Sequence, residues 1–401
     1  MSRRAGRART PAAPQSPHNA NPVAKGLRRT RSVRPTTVPP PLSAAGAGKV
    51  RLGDVCEEVS VRNRDGKVSS VCSVTNSEGF IPSTEYFSKE VYSKSLATYK
   101  IVKPGMFAYN PSRINVGSVN RWIGEAPVIV SPLYIVVNPD PRRIEGSYLN
   151  YFLHSKEALC QIRNLTEGTV RDSLKFSGFQ RLTLPLPPLP TQQRIAAELD
   201  RLCALKKNAE DRLAILDQIV KSRFVEMFGD VRTNTKGWPV GRFDEVIRLQ
   251  RGFDLPVQSR KHKGQIPIYG SNGLLGYHDE PKAFDGIVTG RSGTIGKVYC
   301  VKGAYWPLNT SLFSIDTHGN DITYLAYLVQ MFDLSRFCAG TGVPTLNRND
   351  VHCQPLRQTP LALQREFAAF VAEVDKSKST LRETVATLDQ LYRAKLQEYF
   401  G

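Results

Sequence analysis

The sequence predicts an α+β protein in two similar halves. Two globular α+β domains are separated by two long helices that form an antiparallel intrachain coiled coil, and a pseudo-twofold repeat relates the halves. Three observations carry this reading. One register of internal similarity, an offset of 172, holds without a gap from Gly168 to Gly229 and again from Gly340 to Gly401. A heptad-spaced apolar stripe runs through both copies. The segments ahead of each stripe are β-branched and aromatic runs cut by Gly, Pro and Asn.

The repeat decides the architecture. Leu216-Asp217-Gln218 matches Leu388-Asp389-Gln390, and Glu226, Phe228 and Gly229 match Glu398, Phe400 and Gly401. Gln192, Ala196 and Ala197 match Gln364, Ala368 and Ala369 at the same offset. Upstream the register drifts: Tyr148, Leu149 and Tyr151 echo Tyr324, Leu325 and Tyr327 at 176, and Leu52 and Val55 echo Phe243 and Val246 at 191. Two variable blocks therefore alternate with two constant ones. The expected units are a basic tail (1–48), a first variable α+β domain (49–190), a central helix (191–230), a second variable domain (231–362) and a C-terminal helix (363–401).

In the first constant block Pro185, Pro187, Pro188 and Pro190 stop the preceding segment, and Thr191 is the expected N-cap. Ile195, Leu199, Leu202, Lys206, Ala209, Leu213, Leu216 and Val220 then form a heptad seam. Phe367, Val371, Val374, Lys378, Leu381, Val385, Leu388 and Tyr392 repeat it, and Gly229 and Gly401 are expected C-caps. Each helix is expected to run roughly 35 residues, or about 50 Å. A single apolar stripe needs a partner, and the other copy supplies it. Lys206 and Lys378 either lay their stems along the seam with the ammonium in water or act as a register device. In the variable blocks, Ile129-Val130, Leu133 to Val137, Ile287-Val288 and Lys297 to Val301 read as strands, and 147–164 and 321–337 as helices.

Lys and Arg exceed Asp and Glu to give +19, of which residues 1–48 supply +9 without a single acid. That stretch cannot bury enough apolar surface to offset its ordering entropy and is expected to be disordered. It has the composition of an idle tail, of a DNA-clinging arm or of a mitochondrial transit peptide. The other 353 residues still carry +10, which points to a polyanion, most simply nucleic acid. No segment reaches the ~20 apolar residues of a membrane span. Seven cysteines without a C-x-x-C pair argue against a disulfide scaffold or zinc ribbon and fit a reducing cytoplasm.

Catalytic signatures are missing. No N/D/S-P-P-Y/F tetrapeptide is present to hold a flipped adenine for methyl transfer. Gly290 to Lys297 looks like a phosphate loop, but its glycine spacing is one residue too long and Val298 stands where Ser or Thr must bind magnesium. His352 and Cys353 adjoin without a second ligand pair. What remains is binding chemistry in two polar segments. The first holds Asn110, Ser112, Arg113 and Asn115 and continues to Asn120 and Arg121. The second holds Ser271, Asn272, Arg291, Ser292, Thr294 and Asn309, with Lys261 and Lys263 in a short basic run nearby. Arg can bridge guanine and Asn adenine in the major groove, while Ser, Thr, Lys and glycine amides suit phosphates. Ordinary turn chemistry also selects Asn and Gly.

Pro185 to Ala196, followed by a long helix closing in Glu226-Met227-Phe228-Gly229-Asp230, resembles the central conserved region of type I restriction–modification specificity subunits. Asn110 to Gly117 with Ser131-Pro132-Leu133-Tyr134 resembles their first target recognition domain. Ile268 to Gly273, Gly290 to Gly296 and Trp306 to Thr310 resemble a second one. The second constant block departs from the pattern, with Arg357, Thr359 and Ala362 in place of three of the four prolines. The resemblance implies a non-catalytic reader of a bipartite, asymmetric site on double-stranded DNA. It would dock two methyltransferase subunits carrying S-adenosylmethionine, and restriction/translocase subunits using ATP and magnesium; no cofactor is expected on this chain. Two other readings remain at this level: a stand-alone DNA-modifying enzyme, and a coiled-coil interaction protein without DNA affinity.

Overall fold

The computed structural model describes residues 48–76, 78–83, 96–166, 173–260, 264–340 and 342–401. The basic tail, except Gly48, lies outside the described residues. In the first half the chain forms β1 (Lys49–Arg51), β2 (Cys56–Val59), β3 (Cys72–Val74), β4 (Phe80–Pro82), β5 (Lys100–Val102), β6 (Phe107–Tyr109), β7 (Val119–Arg121), β8 (Val128–Val130) and β9 (Ile135–Pro139). Helices α1 (Gly146–Leu153), α2 (Lys156–Leu165) and α3 (Phe176–Phe179) and strand β10 (Thr183–Pro185) follow. The central sheet has the order β2-β9-β6-β7, all antiparallel. Alternation sorts its faces, as the two-residue strand period requires. Phe107, Tyr109 and Val137 face the helices, whereas Ala108 and Val136 face a second cluster with Val102, Val128 and Val130.

The long helix α4 spans Leu189–Phe228. The second half then forms β11 (Val240–Arg242), α5 (Phe243–Val246), β12 (Arg248–Arg251), β13 (Ile266–Gly270), β14 (Gly273–His278), β15 (Ala283–Gly290), β16 (Val298–Pro307) and β17 (Ser311–Asp316). It continues through α6 (Ile322–Phe332), β18 (Cys338–Ala339), β19 (Thr345–Leu346), α7 (Arg348–His352), β20 (Pro355–Arg357) and the second long helix α8 (Leu361–Phe400). The larger sheet has the order β12-β17-β15-β16-β13-β14, with β13 and β16 running parallel. Again neighbouring residues part: Ile287 and Leu312 face the helices, Val288 and Phe313 the opposite cluster.

Four expectations are corrected. Helix α4 begins at Leu189 behind Pro188, not behind Thr191, because Pro188 is already extended (φ −53°, ψ 146°) and Pro190 tolerates the first turn, where no amide partner is needed. The two long helices have 40 residues each, about 60 Å. The helical stretches at 147–164 and 321–337 each break, the first where the Ser155 side chain caps α2, the second where Asp333 enters the left-handed region (φ 62°). Residues Ser131 to Tyr134 form a turn, so β9 starts at Ile135 and leaves Leu133 exposed.

The long helices run in opposite directions along one another. Glu198 meets Lys395 and Tyr399, Lys206 meets Asp389, Asp217 meets Lys378, and Arg223 meets Glu366. The two central bridges are repeat equivalents, each 2.7 Å long. Lys378 is buried and Lys206 half-buried, so neither ammonium simply reaches for water.

Each domain is fixed to both helices. Tyr399 and Phe400, at the far end of the chain, enter the first domain's core beside Tyr148, Phe152, Ile195 and Leu199. Val220, Phe224 and Phe228 enter the second domain's core with Phe367 and Val371. Buried Gln192 and Gln364 repeat the same joint. Gln192 Oε1 accepts from the Glu145 amide (2.9 Å), and Nε2 donates to the carbonyls of Arg143 and Pro187 (3.0 and 2.8 Å). Gln364 Oε1 accepts from the Asp321 amide (2.9 Å), and Nε2 donates to Asn320 Oδ1 and the Thr359 carbonyl (2.7 and 2.9 Å). No helix among the described residues is long and apolar enough to cross a membrane.

Candidate nucleic-acid interface

In the first domain, β6 and β7 are joined by a tight polar loop. Asn110 Oδ1 accepts from the Ser112 amide (3.1 Å), and Ile114 drops into the core to anchor a 3-10 turn over Ile114–Val116. Gly117 closes that turn at φ 89°, a left-handed conformation that favours glycine. Ser112 and Arg113 are thereby lifted into solvent, with Asn115 half-buried behind them. The Arg113 guanidinium has no hydrogen bond or ion pair among the described residues, so its donors are free for a ligand.

Asn120 and Arg121 do not join this loop. They pair with Ala108 and Phe107 along β7. Arg121 turns towards the start of α1, where Nη1 donates to Ser147 Oγ (3.3 Å) and lies 3.8 Å from Glu145. Gly146 makes room for it, since a Cβ there would lie 2.7 Å from the guanidinium carbon.

The second domain gathers its candidates from separate loops onto one edge of the large sheet. The Arg291 and Ser292 amides both donate to the Thr310 carbonyl (2.9 and 3.1 Å), and Arg291 Nη1 donates to the Asn309 carbonyl (3.3 Å). Gly293 lies beside Ser271, and Lys297 Nζ reaches Asn272 Oδ1 (3.5 Å). Thr294 folds back so that its carbonyl packs on Gly290, where any Cβ would come within 1.7 Å. The loop from Gly290 to Lys297 connects two antiparallel strands and precedes no helix, which removes the resemblance to a phosphate loop. Lys261 and Lys263 lie outside the described residues. Sequence reasoning missed Arg251 and Asp254, which join this edge: Asp254 accepts from Asn309 Nδ2 and lies 3.6 Å from Arg251. The local signal was weak, an acid three residues after an arginine; the contact with Asn309 spans 55 positions.

Among the described residues no three His, Cys, Asp or Glu side chains group as metal ligands, and all seven cysteines are free thiols. His352, next to Cys353, uses Nε2 to accept the Leu249 amide (3.1 Å), and burial holds its pKa below the usual imidazole range.

A family profile for the type I restriction modification DNA specificity domain matches residues 47–215 and 235–390. The MjaVIII specificity subunit of a type I restriction enzyme from Methanocaldococcus jannaschii is 24% identical over 220 residues, 51% of this chain and 49% of that protein. The MjaIX specificity subunit of the same organism is 23% identical over 128 residues, 28% of this chain and 30% of that protein. The chain thus spans about half the length, or less, of the curated relatives it matches. The crystal structure of an S subunit of a type I restriction–modification system from M. genitalium superposes with a TM-score of 0.56 at 14% identity, covering 88% of this chain and 96% of that one. A chain from a study of assembly and conformational transition in a type I system gives 0.55 at 16% identity, covering 88% and 97%. At such identities the likeness concerns the fold. The two profile matches take in both halves of the repeat, and the chain belongs to the type I restriction–modification DNA specificity family.

Proposed function

We propose that this chain is the non-catalytic DNA-reading subunit of a type I restriction–modification complex, working in the cytoplasm on a bipartite, asymmetric double-stranded site. The observation that carries it is the doubled layout: two domains bearing polar loops sit at opposite ends of a 40-residue antiparallel helix pair. Such a frame suits reading two half-sites at a fixed separation. The functional units are 49–190 and 231–362 as readers, with 191–230 and 363–401 as the spacer. Asn110, Ser112, Arg113 and Asn115 serve one half-site from the loop, and Asn120 and Arg121 serve it from the adjoining strand β7. Lys261, Lys263, Ser271, Asn272, Arg291, Ser292, Thr294 and Asn309 serve the other. Two methyltransferase subunits that bind S-adenosylmethionine would dock on the frame, and restriction subunits using ATP and magnesium would join them. Nothing observed favours a stand-alone enzyme.

The test is exchange of residues 231–362 for the matching block of a relative, with the methyltransferase co-expressed and methylated adenine mapped across the genome. One half of the motif changes and the other stays. A change in both halves, or in neither, defeats the reading, as does methylation by the purified chain alone.

A further inference from the structure

Asp254 is an anomaly on the edge proposed to face DNA. An exposed carboxylate repels phosphates, yet this one is held in place by the fold. Gly252 permits the close approach of two segments, since a Cβ there would lie 2.2 Å from the Leu308 carbonyl oxygen. The backbones are then joined by Phe253 N to Pro307 O (2.8 Å) and Asn309 N to Phe253 O (2.9 Å). The Phe253 ring packs against Phe313 and Trp306, with centroids 5.8 and 6.4 Å away. These contacts fix the backbone of the next residue, Asp254.

The carboxylate is oriented as well. Oδ1 accepts from Asn309 Nδ2 and lies 3.6 Å from Arg251 Nη2. No hydrogen bond is donated to Oδ2 among the described residues, and the side chain is 73% exposed. Asn309 is itself tied to Arg291 through its carbonyl (3.3 Å). Exposed pairs of this kind add little to stability, with a median of about 0–1 kcal/mol for surface ion pairs, so fold stability gives no strong reason for the arrangement. If this edge enters the major groove, a pre-oriented, acceptor-only group there has one natural target, an exocyclic amino group.

We propose that Asp254 is a specificity-determining residue of the second domain and Asn309 its positioning residue. The carboxylate accepts a hydrogen bond from adenine N6 or cytosine N4 and rejects guanine O6 and thymine O4, which would meet it acceptor to acceptor. This rests on the DNA-reading assignment above.

The test compares D254A, D254N, N309A and the D254A/N309A double variant with the parent chain, each co-expressed with the methyltransferase, by genome-wide mapping of methylated adenine and by thermal melting. D254A admits guanine or thymine at one position of the half-site assigned to residues 231–362, where discrimination falls about 5- to 150-fold, and the other half is unchanged. The parent base at that position, adenine or cytosine, identifies which amino group is read. D254N tolerates both classes there, since an amide can donate and accept. N309A relaxes the same position more weakly and adds nothing on top of D254A. An unchanged motif from folded D254A overturns the proposal. So does equal loss at all sites, relaxation in the other half, or relaxation by N309A elsewhere. If the block exchange also leaves the motif unaltered, the DNA-reading assignment has failed; if the exchange alters one half and D254A does not, only the role of Asp254 has failed.

Discussion

Lengthening the helix pair tests whether it acts as a ruler. Both domains are clamped to both long helices, the first through Ile195, Leu199, Tyr399 and Phe400, the second through Val220, Phe224, Phe228, Phe367 and Val371. Four residues must therefore be added to both helices at equivalent points, after Ala209 and after Leu381. Four helical residues add about 6 Å, and they turn through about 400°, a net rotation of about 40°. Base pairs rise about 3.4 Å each, so translation alone asks for nearly two more. Duplex DNA also turns about 35° per base pair, so rotation alone asks for about one. The preferred gap between half-sites should grow by one or two base pairs while both half-site sequences stay the same. Adding the residues to α4 alone shifts one clamp against the other and breaks either the Lys206–Asp389 or the Lys378–Asp217 bridge, so that variant should melt earlier and methylate poorly. The assay is the methylated motif of each variant, with its methyltransferase present. A folded, active double-insertion variant that keeps the parental gap would show that the helices are tethers, and the ruler argument would be wrong.

Other expectations follow from particular contacts. Arg113→Ala removes a free, exposed guanidinium; as a phosphate contact it should weaken all sites alike and lower the salt slope by about one, whereas as a base reader it should relax one position. Gln364→Leu should cost about 2–4 kcal/mol in urea denaturation, because the Asp321 amide and Thr359 carbonyl lose buried partners, and Gln192→Leu should cost a similar amount at the equivalent joint. Asp217→Ala should destabilise by about 1–2 kcal/mol, less than a fully buried pair because Asp217 is 61% exposed, while Lys378→Met should be neutral or stabilising; equal losses for both would contradict the seam energetics. His352 has a depressed pKa when folded, so its contribution is complete above about pH 6.5 and is lost as pH falls towards and through the folded value; His352→Gln should flatten that part of a melting-temperature profile.

The sequence by itself determined what repeats along the chain. The seam from Ile195 to Val220 and its copy from Phe367 to Tyr392 are legible because heptad spacing is a local property of a helix. Gly229 and Gly401 are legible because a helix end needs a residue that can leave the helical region. The family motifs are legible for the same reason: their residues are contiguous. The sequence missed what distant residues do together. The N-cap of α4 lies three positions before the expected one, at Pro188 and not Thr191, because both residues can cap and local sequence does not choose between them. The Gln192 joint draws on Arg143 and Glu145, nearly fifty residues earlier, and Phe400 completes a core that begins at Leu52. In the candidate interface, composition placed Arg113 and Arg291 in polar loops, but tertiary packing turned Arg121 inward towards Ser147 and brought Asp254 to Asn309. Periodic apolar spacing determines which face of an element is buried, whereas the bond a polar side chain makes depends on which chain segment arrives beside it. That is settled only when the sheets and helices pack.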